Sequence, residues 1–138
     1  MNKSKGFTII ELIVVIAIIA VLATIVLVNV TQYINRGKDA AIKGNLSSLL
    51  INSAVYVDEN ATYAGFGADT SMGCAGPVSG AITDADSTLI CTLTANEDVD
   101  TWAACAQLVA DSGDYFCVDA SGKKIQVTGT CAALDACP

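Results

Sequence analysis

The 138-residue sequence contains no histidine and only two prolines, and it lacks the short motifs of the common enzyme families. Without histidine, the chain has no side chain that ordinarily changes charge near neutral pH, so the usual general base is missing. It has no nucleophile elbow, no phosphate-binding loop and no H-E-x-x-H zinc motif. We therefore expect no catalytic residues and no cofactor, and we predict that the protein is not an enzyme.

Basic residues are also scarce. The chain has seven lysines and arginines against fourteen aspartates and glutamates, a formal net charge of −7. Nucleic-acid binding depends on lysine and arginine side chains that neutralise phosphates, and few are present. The composition therefore argues against a specific nucleic-acid partner and favours an acidic, self-repelling exterior.

Metal-binding patterns are weak. A zinc site is disfavoured because there is no histidine and no C-x-x-C pair. Several acids of the second half lie near one another in the sequence: Asp98, Asp100, Asp111, Asp114, Asp119 and Asp135. Calcium prefers oxygen ligands, but the spacing of these acids is unlike that of an EF-hand. We expect solvated surface acids and no metal site.

What the sequence does have is one long apolar run. Residues 7–28 would form about 33 Å of helix, which is enough to span a bilayer. The short cationic leader MNKSKG precedes this run. A secretory signal peptide would place its small cleavage-site residue after the apolar stretch, whereas Gly6 lies before it. Cleavage after Gly6 would remove the leader and keep the helix, and Lys3 and Lys5 would hold the uncut end on the cytoplasmic side.

Glu11 is the single charge between residues 7 and 35. A carboxylate inside an apolar helix is costly in hydrocarbon and should have a partner. Cleavage before Phe7 would create an amine one helical turn away. The amine of one subunit could then pair with Glu11 of the next. Alternatively, Glu11 reaches the headgroups or pairs with its own amine, and physical reasoning alone leaves these possibilities open.

The string KGFTIIEL at residues 5–12 resembles the class III signal of type IV pilins and type II secretion pseudopilins. The resemblance covers about residues 3–30. It implies that a prepilin peptidase cuts after Gly6 and methylates the new N-terminal Phe7, and that Glu11, with Phe7, assists subunit docking. It also implies a filamentous homo-oligomer and an assembly machinery in the membrane.

The helix is predicted to continue as an amphipathic segment to about residue 57. Many members of this family have a glycine or proline inside the membrane segment, but this chain has none between Phe7 and Arg36. The first stretch is therefore expected to stay helical, while Gly37 or Gly44 would be the place for a bend. Arg36 and Lys38 would pair with an acid such as Asp39 of another subunit, or form a solvated basic collar.

The remaining residues predict a small head, so the fold class is α+β. After an irregular connection from residue 59, residues 87–94 alternate as a strand. Residues 96–112 indicate a short helix ending before Gly113, and residues 115–119 and 124–128 form the arms of a hairpin. The predicted divisions are a leader (1–6), a stem helix (7–57, with 7–28 in the membrane or filament core) and a head (58–138).

Six cysteines lie in this head and none in the stem. An even number in a small domain behind a membrane segment predicts three disulfides formed outside the cytosol. Six cysteines allow 15 connectivities. We expect Cys105–Cys117, Cys74–Cys91 and Cys131–Cys137, the last closing a loop comparable in position to the disulfide-bounded loop of many pilins.

These features predict a structural subunit of a type IV pilus-like surface filament used for adhesion, twitching motility or DNA uptake. The precursor would lie in the inner (cytoplasmic) membrane and the assembled protein in an extracellular filament. Two alternatives stay open. One is a pseudopilin of a type II secretion or competence system, and the other is a membrane-anchored binding ectodomain that forms no filament and whose leader is never cut.

Overall fold

The computed structural model describes residues 6–96 and 99–138, and the lysines of the leader lie outside this description. The chain divides into two compact units, one ending at Ile34 and one comprising Asn35–Pro138. The elements are α1 (Ile9–Asn60), α2 (Pro77–Asp84), β1 (Leu89–Asn96), β2 (Val99–Gln107), β3 (Asp114–Asp119) and β4 (Lys124–Thr128). This long helix, small antiparallel sheet and short second helix confirm the predicted α+β class.

Helix α1 is 52 residues long and is long and apolar enough to cross a membrane. Its first part keeps a continuous helix because no proline interrupts the backbone hydrogen bonds. It also continues through Gly37 and Gly44, since two isolated glycines lower helix propensity without removing a donor. The helix ends at Asn60, close to the predicted end at residue 57.

The four strands form one antiparallel sheet in the order β1-β2-β3-β4. The hairpin prediction is confirmed, because β3 and β4 pair with Cys117 opposite Ile125. Gly122 sits in the connecting turn at φ +86°, where glycine avoids the steric cost of a side chain. The sheet is therefore a simple meander in which each strand pairs with the next one along the chain.

The helix predicted at residues 96–112 is wrong: the described part of this segment is strand β2. Residues 102–106 are all buried, because the sheet is covered on both faces. A short, fully buried apolar run gives no alternation of polar and apolar residues, so its periodicity does not separate strand from helix. The short helix of the head is instead α2, which begins at Pro77 inside the segment predicted to be irregular. Proline suits the first helical turn because its missing N–H is not needed there.

One face of the sheet and residues of α1 share the main core of the unit Asn35–Pro138. Ile42, Leu46 and Leu49 recur at helical spacing and are fully buried. Trp102 lies in the same core, with its ring centroid 5.3 Å from that of Phe66. The predicted apolar face of the amphipathic segment therefore packs inside its own unit.

The opposite face of the sheet carries a second cluster built on disulfides. The structure confirms Cys74–Cys91, but it joins Cys105 to Cys131 and Cys117 to Cys137. The predicted pairs Cys105–Cys117 and Cys131–Cys137 are therefore wrong. The reason is the path of residues 129–138, here called the tail, which contains no helix or strand and lies over this face. We call Cys105, Cys117, Cys131 and Cys137 the outer cluster.

Candidate functional site

The first turn of α1 is organised by a reciprocal contact between Thr8 and Glu11. Glu11 Oε2 accepts hydrogen bonds from Thr8 N at 2.9 Å and Thr8 Oγ1 at 2.7 Å. Glu11 N donates in turn to Thr8 Oγ1 at 3.3 Å. This is a capping box, in which Thr8 is the N-cap and the glutamate satisfies a backbone N–H ahead of the helix. The T-x-x-E spacing in the sequence was the signal for it, but the role of Thr8 was missed.

The Gly6–Phe7 peptide bond lies just before the helix, and both residues are exposed. The backbone at this position lies outside α1, which begins at Ile9. A Cβ at Gly6 would meet nothing within 4 Å. The small residue is therefore not required by the chain's own packing. The structure brings the predicted site residues Gly6, Phe7 and Glu11 together within this one segment.

The apolar side chains of the first unit point outward along the helix. Ile10 is 74% exposed and Ile18 54% exposed. A shallow groove follows the helix surface and is lined by Val14, Ala17, Ile18, Val21 and Leu22. An apolar surface of this extent is stable only in lipid or against other apolar helices. Ala17 leaves room at the groove for a close helix neighbour.

Two of the residues that follow Arg36, Lys38 and Asp39, have partners within their own unit. Lys38 forms an ion pair with Asp86 of the same unit. Asp39 is buried, and its Oδ1 accepts hydrogen bonds from Val109 N at 2.6 Å and Ala110 N at 3.2 Å. Asp39 is thus occupied within its own chain and does not fit the suggested role as an intersubunit partner. No local sequence pattern indicates this contact, because it joins positions 70 residues apart.

The aspartates that the structure describes in the head do not gather into one centre. Within residues 6–96 and 99–138, no group of three or more histidine, cysteine, aspartate or glutamate side chains is placed to hold a metal ion. Of the acids suggested for calcium, Asp98 lies outside the described residues. Asp114 accepts a hydrogen bond from Gln126 at 2.6 Å, and Asp135 accepts one from Thr94 at 3.1 Å. Their contacts are those of a protein surface.

Asp119 is the exception, because it is buried and secures the tail. Its Oδ2 accepts a hydrogen bond from Cys137 N at 3.0 Å, and its Oδ1 accepts one from Ser121 Oγ at 2.6 Å. Burial opposes ionisation, but the hydrogen bonds from Ser121 Oγ, Cys137 N and Lys123 N outweigh it and hold the pKa of Asp119 below its ordinary value. The carboxylate therefore stays charged at neutral pH and acts as a fixed acceptor for the tail.

Comparison with known proteins gives one match. Residues 1–27 match the family model described as the prokaryotic N-terminal methylation motif. No curated protein and no solved structure matches the chain. The matched residues include the Gly6–Phe7 bond and Glu11, and they support the resemblance of the sequence to type IV pilins and pseudopilins. A type IV pilin-like or pseudopilin protein is a structural protein, made as a membrane-anchored precursor that prepilin peptidase processes.

Proposed function

We propose that this chain is a structural subunit of a type IV pilus-like surface filament, assembled through its N-terminal helices after cleavage at Gly6. The observation that carries the proposal is the position of the methylation motif, at the exposed start of a helix whose apolar surface is open along the first unit. A membrane would cover this surface in the precursor. Other copies of the same helix would cover it in the filament.

Cleavage after Gly6 would leave the capping box intact, because Thr8 and Glu11 both lie in the mature chain. The new amine of Phe7 would then stand next to a helix start that is already capped. Since Glu11 is bound through Oε2 to Thr8, the carboxylate is turned toward the N-terminal end of its own helix. A carboxylate offers about four acceptor positions, so Thr8 does not exhaust it.

Docking of the next subunit would use the remaining acceptor capacity of Glu11. The Phe7 amine of a neighbouring subunit is a cation, and pairing it with Glu11 would satisfy both charges in an apolar surrounding. A mismatched axial position would leave a buried, unpaired charge, which is strongly unfavourable. The pair would therefore set the axial register of neighbouring helices. Apolar contact along the groove around Ala17 and Ile18 would provide the attraction between them.

A pseudopilin of a secretion or competence system is the second candidate, because the methylation motif fits either class of protein. The three disulfides modestly favour the long-lived surface filament, since such bonds suit a small head exposed outside the cell. In either role the protein would associate with copies of itself and with an assembly machinery in the membrane.

The test is to shear the cell surface, collect filaments and identify the tryptic peptide that ends at Arg36 by mass spectrometry. Trypsin cuts uncleaved precursor after Lys5, so its peptide begins at Gly6 and ends at Arg36. The processed protein gives a peptide that begins at Phe7 and is one methyl group heavier than its sequence. Finding the Phe7 peptide in sheared filaments supports the pilus subunit. The same peptide found only in membranes indicates the pseudopilin, and an unprocessed peptide alone indicates a plain anchored ectodomain.

A further inference from the structure

The two strand cysteines of the outer cluster lie directly opposite each other in the sheet. Cys105 of β2 and Cys117 of β3 are register partners, and both point to the face that the tail covers. Opposite residues of an antiparallel pair have Cα atoms about 4.5–5.5 Å apart. This separation falls within the range that a disulfide spans, about 4.4–6.8 Å. The sheet thus holds two sulfurs within bonding reach, although each is bonded to the tail instead.

We propose that the outer cluster is an exchangeable disulfide switch with two pairings. In the tail-bound pairing seen in the structure, Cys105 joins Cys131 and Cys117 joins Cys137. In the tail-released pairing, Cys105 joins Cys117 and Cys131 joins Cys137. Both contain two disulfides, so the change consumes no oxidant or reductant. The proposal does not depend on whether the chain assembles into a filament.

Exchange starts at the tail because its two cysteines are less deeply buried than those of the strands. Cys131 and Cys137 are 8% and 7% exposed, whereas Cys105 and Cys117 are 1% and 0% exposed. A low-molecular-weight thiolate attacks Cys137 Sγ, forms a mixed disulfide and releases the thiolate of Cys117. This thiolate attacks its neighbour Cys105 and releases the thiolate of Cys131. Cys131 then attacks Cys137, closes the tail disulfide and regenerates the small thiol.

Release of the tail also breaks its hydrogen bonds to the rest of the head, among them Gly129 N to Gly113 O at 2.7 Å and Thr94 Oγ1 to Asp135 Oδ1 at 3.1 Å. Cys131 N donates to Gln107 Oε1 at 2.9 Å, and Cys137 N donates to Asp119 Oδ2 at 3.0 Å. Lys123 Nζ donates to Cys137 O at 3.3 Å. In the tail-released pairing these groups would bond to water instead. The sheet face that carries Tyr115, Ile125 and Val127 then loses its cover, which makes the switch a means of exposing an apolar surface on the head.

Tryptic mapping of the full chain in detergent separates the two pairings directly. Trypsin cuts after Lys43, Lys123 and Lys124, so peptide 125–138 carries Cys131 and Cys137 and peptide 44–123 carries the other four cysteines. The chain is incubated with reduced glutathione, blocked with an alkylating agent, denatured and digested without reduction. We expect peptide 125–138 to leave the linked species and appear free, unalkylated and two hydrogens lighter than its reduced form. Tail peptide that stays linked, or that is released only in alkylated form, would overturn the proposal.

Paired variants test the same geometry without any added thiol. In C131S/C137S the strand cysteines have no tail partner, and we expect a Cys105–Cys117 bond with no alkylation of either residue. In C105S/C117S we expect a closed Cys131–Cys137 loop on the tail peptide. Cys74–Cys91 lies within peptide 44–123 and reports in both variants that the head has folded and oxidised. Alkylation of Cys105 and Cys117 in a chain that retains Cys74–Cys91 contradicts the switch.

Discussion

The carboxylate of Asp39, on helix α1, accepts a hydrogen bond from the backbone N–H of Val109 at 2.6 Å and so anchors the segment that follows β2. Ala110 N donates to the same carboxylate at 3.2 and 3.3 Å. Two backbone donors of a connecting segment are thereby satisfied by one buried side chain of the helix. This part of α1 is integral to the head, in keeping with the compact unit that begins at Asn35.

Substitution of Asp39 should destabilise this unit. Asp39→Ala leaves two backbone N–H groups without their acceptor, and we expect the free energy of unfolding to fall by about 1–3 kcal/mol. Asp39→Asn keeps one acceptor oxygen, so its free energy of unfolding should fall by less. Denaturant unfolding of the full chain in detergent can be followed by fluorescence of Trp102, the single tryptophan, which is fully buried. The exposed Asp58→Ala is the control, and an equal loss in both variants would contradict the role given to Asp39.

Enlarging Gly6 should block processing without disturbing the fold. A Cβ there meets nothing within 4 Å, so the structure tolerates Gly6→Val. We expect the variant to keep its leader, to lack the methylated Phe7 and to remain in the membrane. Mass spectrometry of the tryptic peptide that ends at Arg36 measures the result. Gly44→Val, a glycine substitution remote from the proposed cleavage site, is the matched control and should be processed normally. Normal cleavage of the Gly6 variant would show that the peptidase does not need a small residue at this position.

Much of this architecture could be predicted from local sequence signals. The unbroken apolar run predicted the stem helix. Two short strand patterns on either side of a turn that contains Gly122 predicted the β3–β4 hairpin. Strand β2 could not be predicted, since burial on both faces removes the alternation that marks a strand. The outer disulfides could not be predicted either, because their pairing depends on the path of the tail. Asp39 was missed for a similar reason, since its partners are set by tertiary structure and not by sequence spacing.

Neutralising Glu11 should separate processing from assembly. Because the proposed cleavage site at Gly6 lies ahead of the helix, Glu11→Gln and Glu11→Ala should leave cleavage and methylation largely intact. Both remove the charge that we propose to pair with the Phe7 amine of the next subunit, and sheared filaments should be lost. Electron microscopy and immunoblotting of sheared material measure the result. Abundant filaments from Glu11→Gln would show that the negative charge is dispensable for docking.

Loss of the capping box should weaken assembly less than loss of Glu11. Thr8→Ala removes the N-cap side chain and costs about 0.5–2 kcal/mol of helix stability. It also frees the Glu11 carboxylate from the position in which Thr8 holds it. We expect fewer filaments and normal cleavage. Thr24→Ala is the matched control, since Thr24 Oγ1 bonds only to Val21 O in its own helix among the described contacts, and an equal reduction there would assign the effect to the helix in general.

The contact of Asp119 with the tail should make part of the head's stability depend on pH. The pKa of Asp119 is lowered in the folded chain, so the folded chain favours the ionised carboxylate more strongly than the unfolded chain does. The stabilisation is therefore complete above the ordinary aspartate pKa of about 3.9 and is lost as the pH falls through the lower value of the folded state.

Comparison of the wild-type chain with Asp119→Asn isolates this contribution, because the other acids titrate in both proteins. At pH 7 we expect the free energy of unfolding of the variant to be about 1–3 kcal/mol lower than that of the wild type, because a charged acceptor for Cys137 N and Ser121 Oγ is lost. The difference should shrink as the pH falls below the ordinary aspartate pKa of about 3.9 and the wild-type carboxyl becomes protonated. Asp58→Asn, at an exposed position, should follow the wild-type profile throughout. A difference between wild type and Asp119→Asn that stays constant down to the lowest pH would mean that the charge of Asp119 does not stabilise the tail.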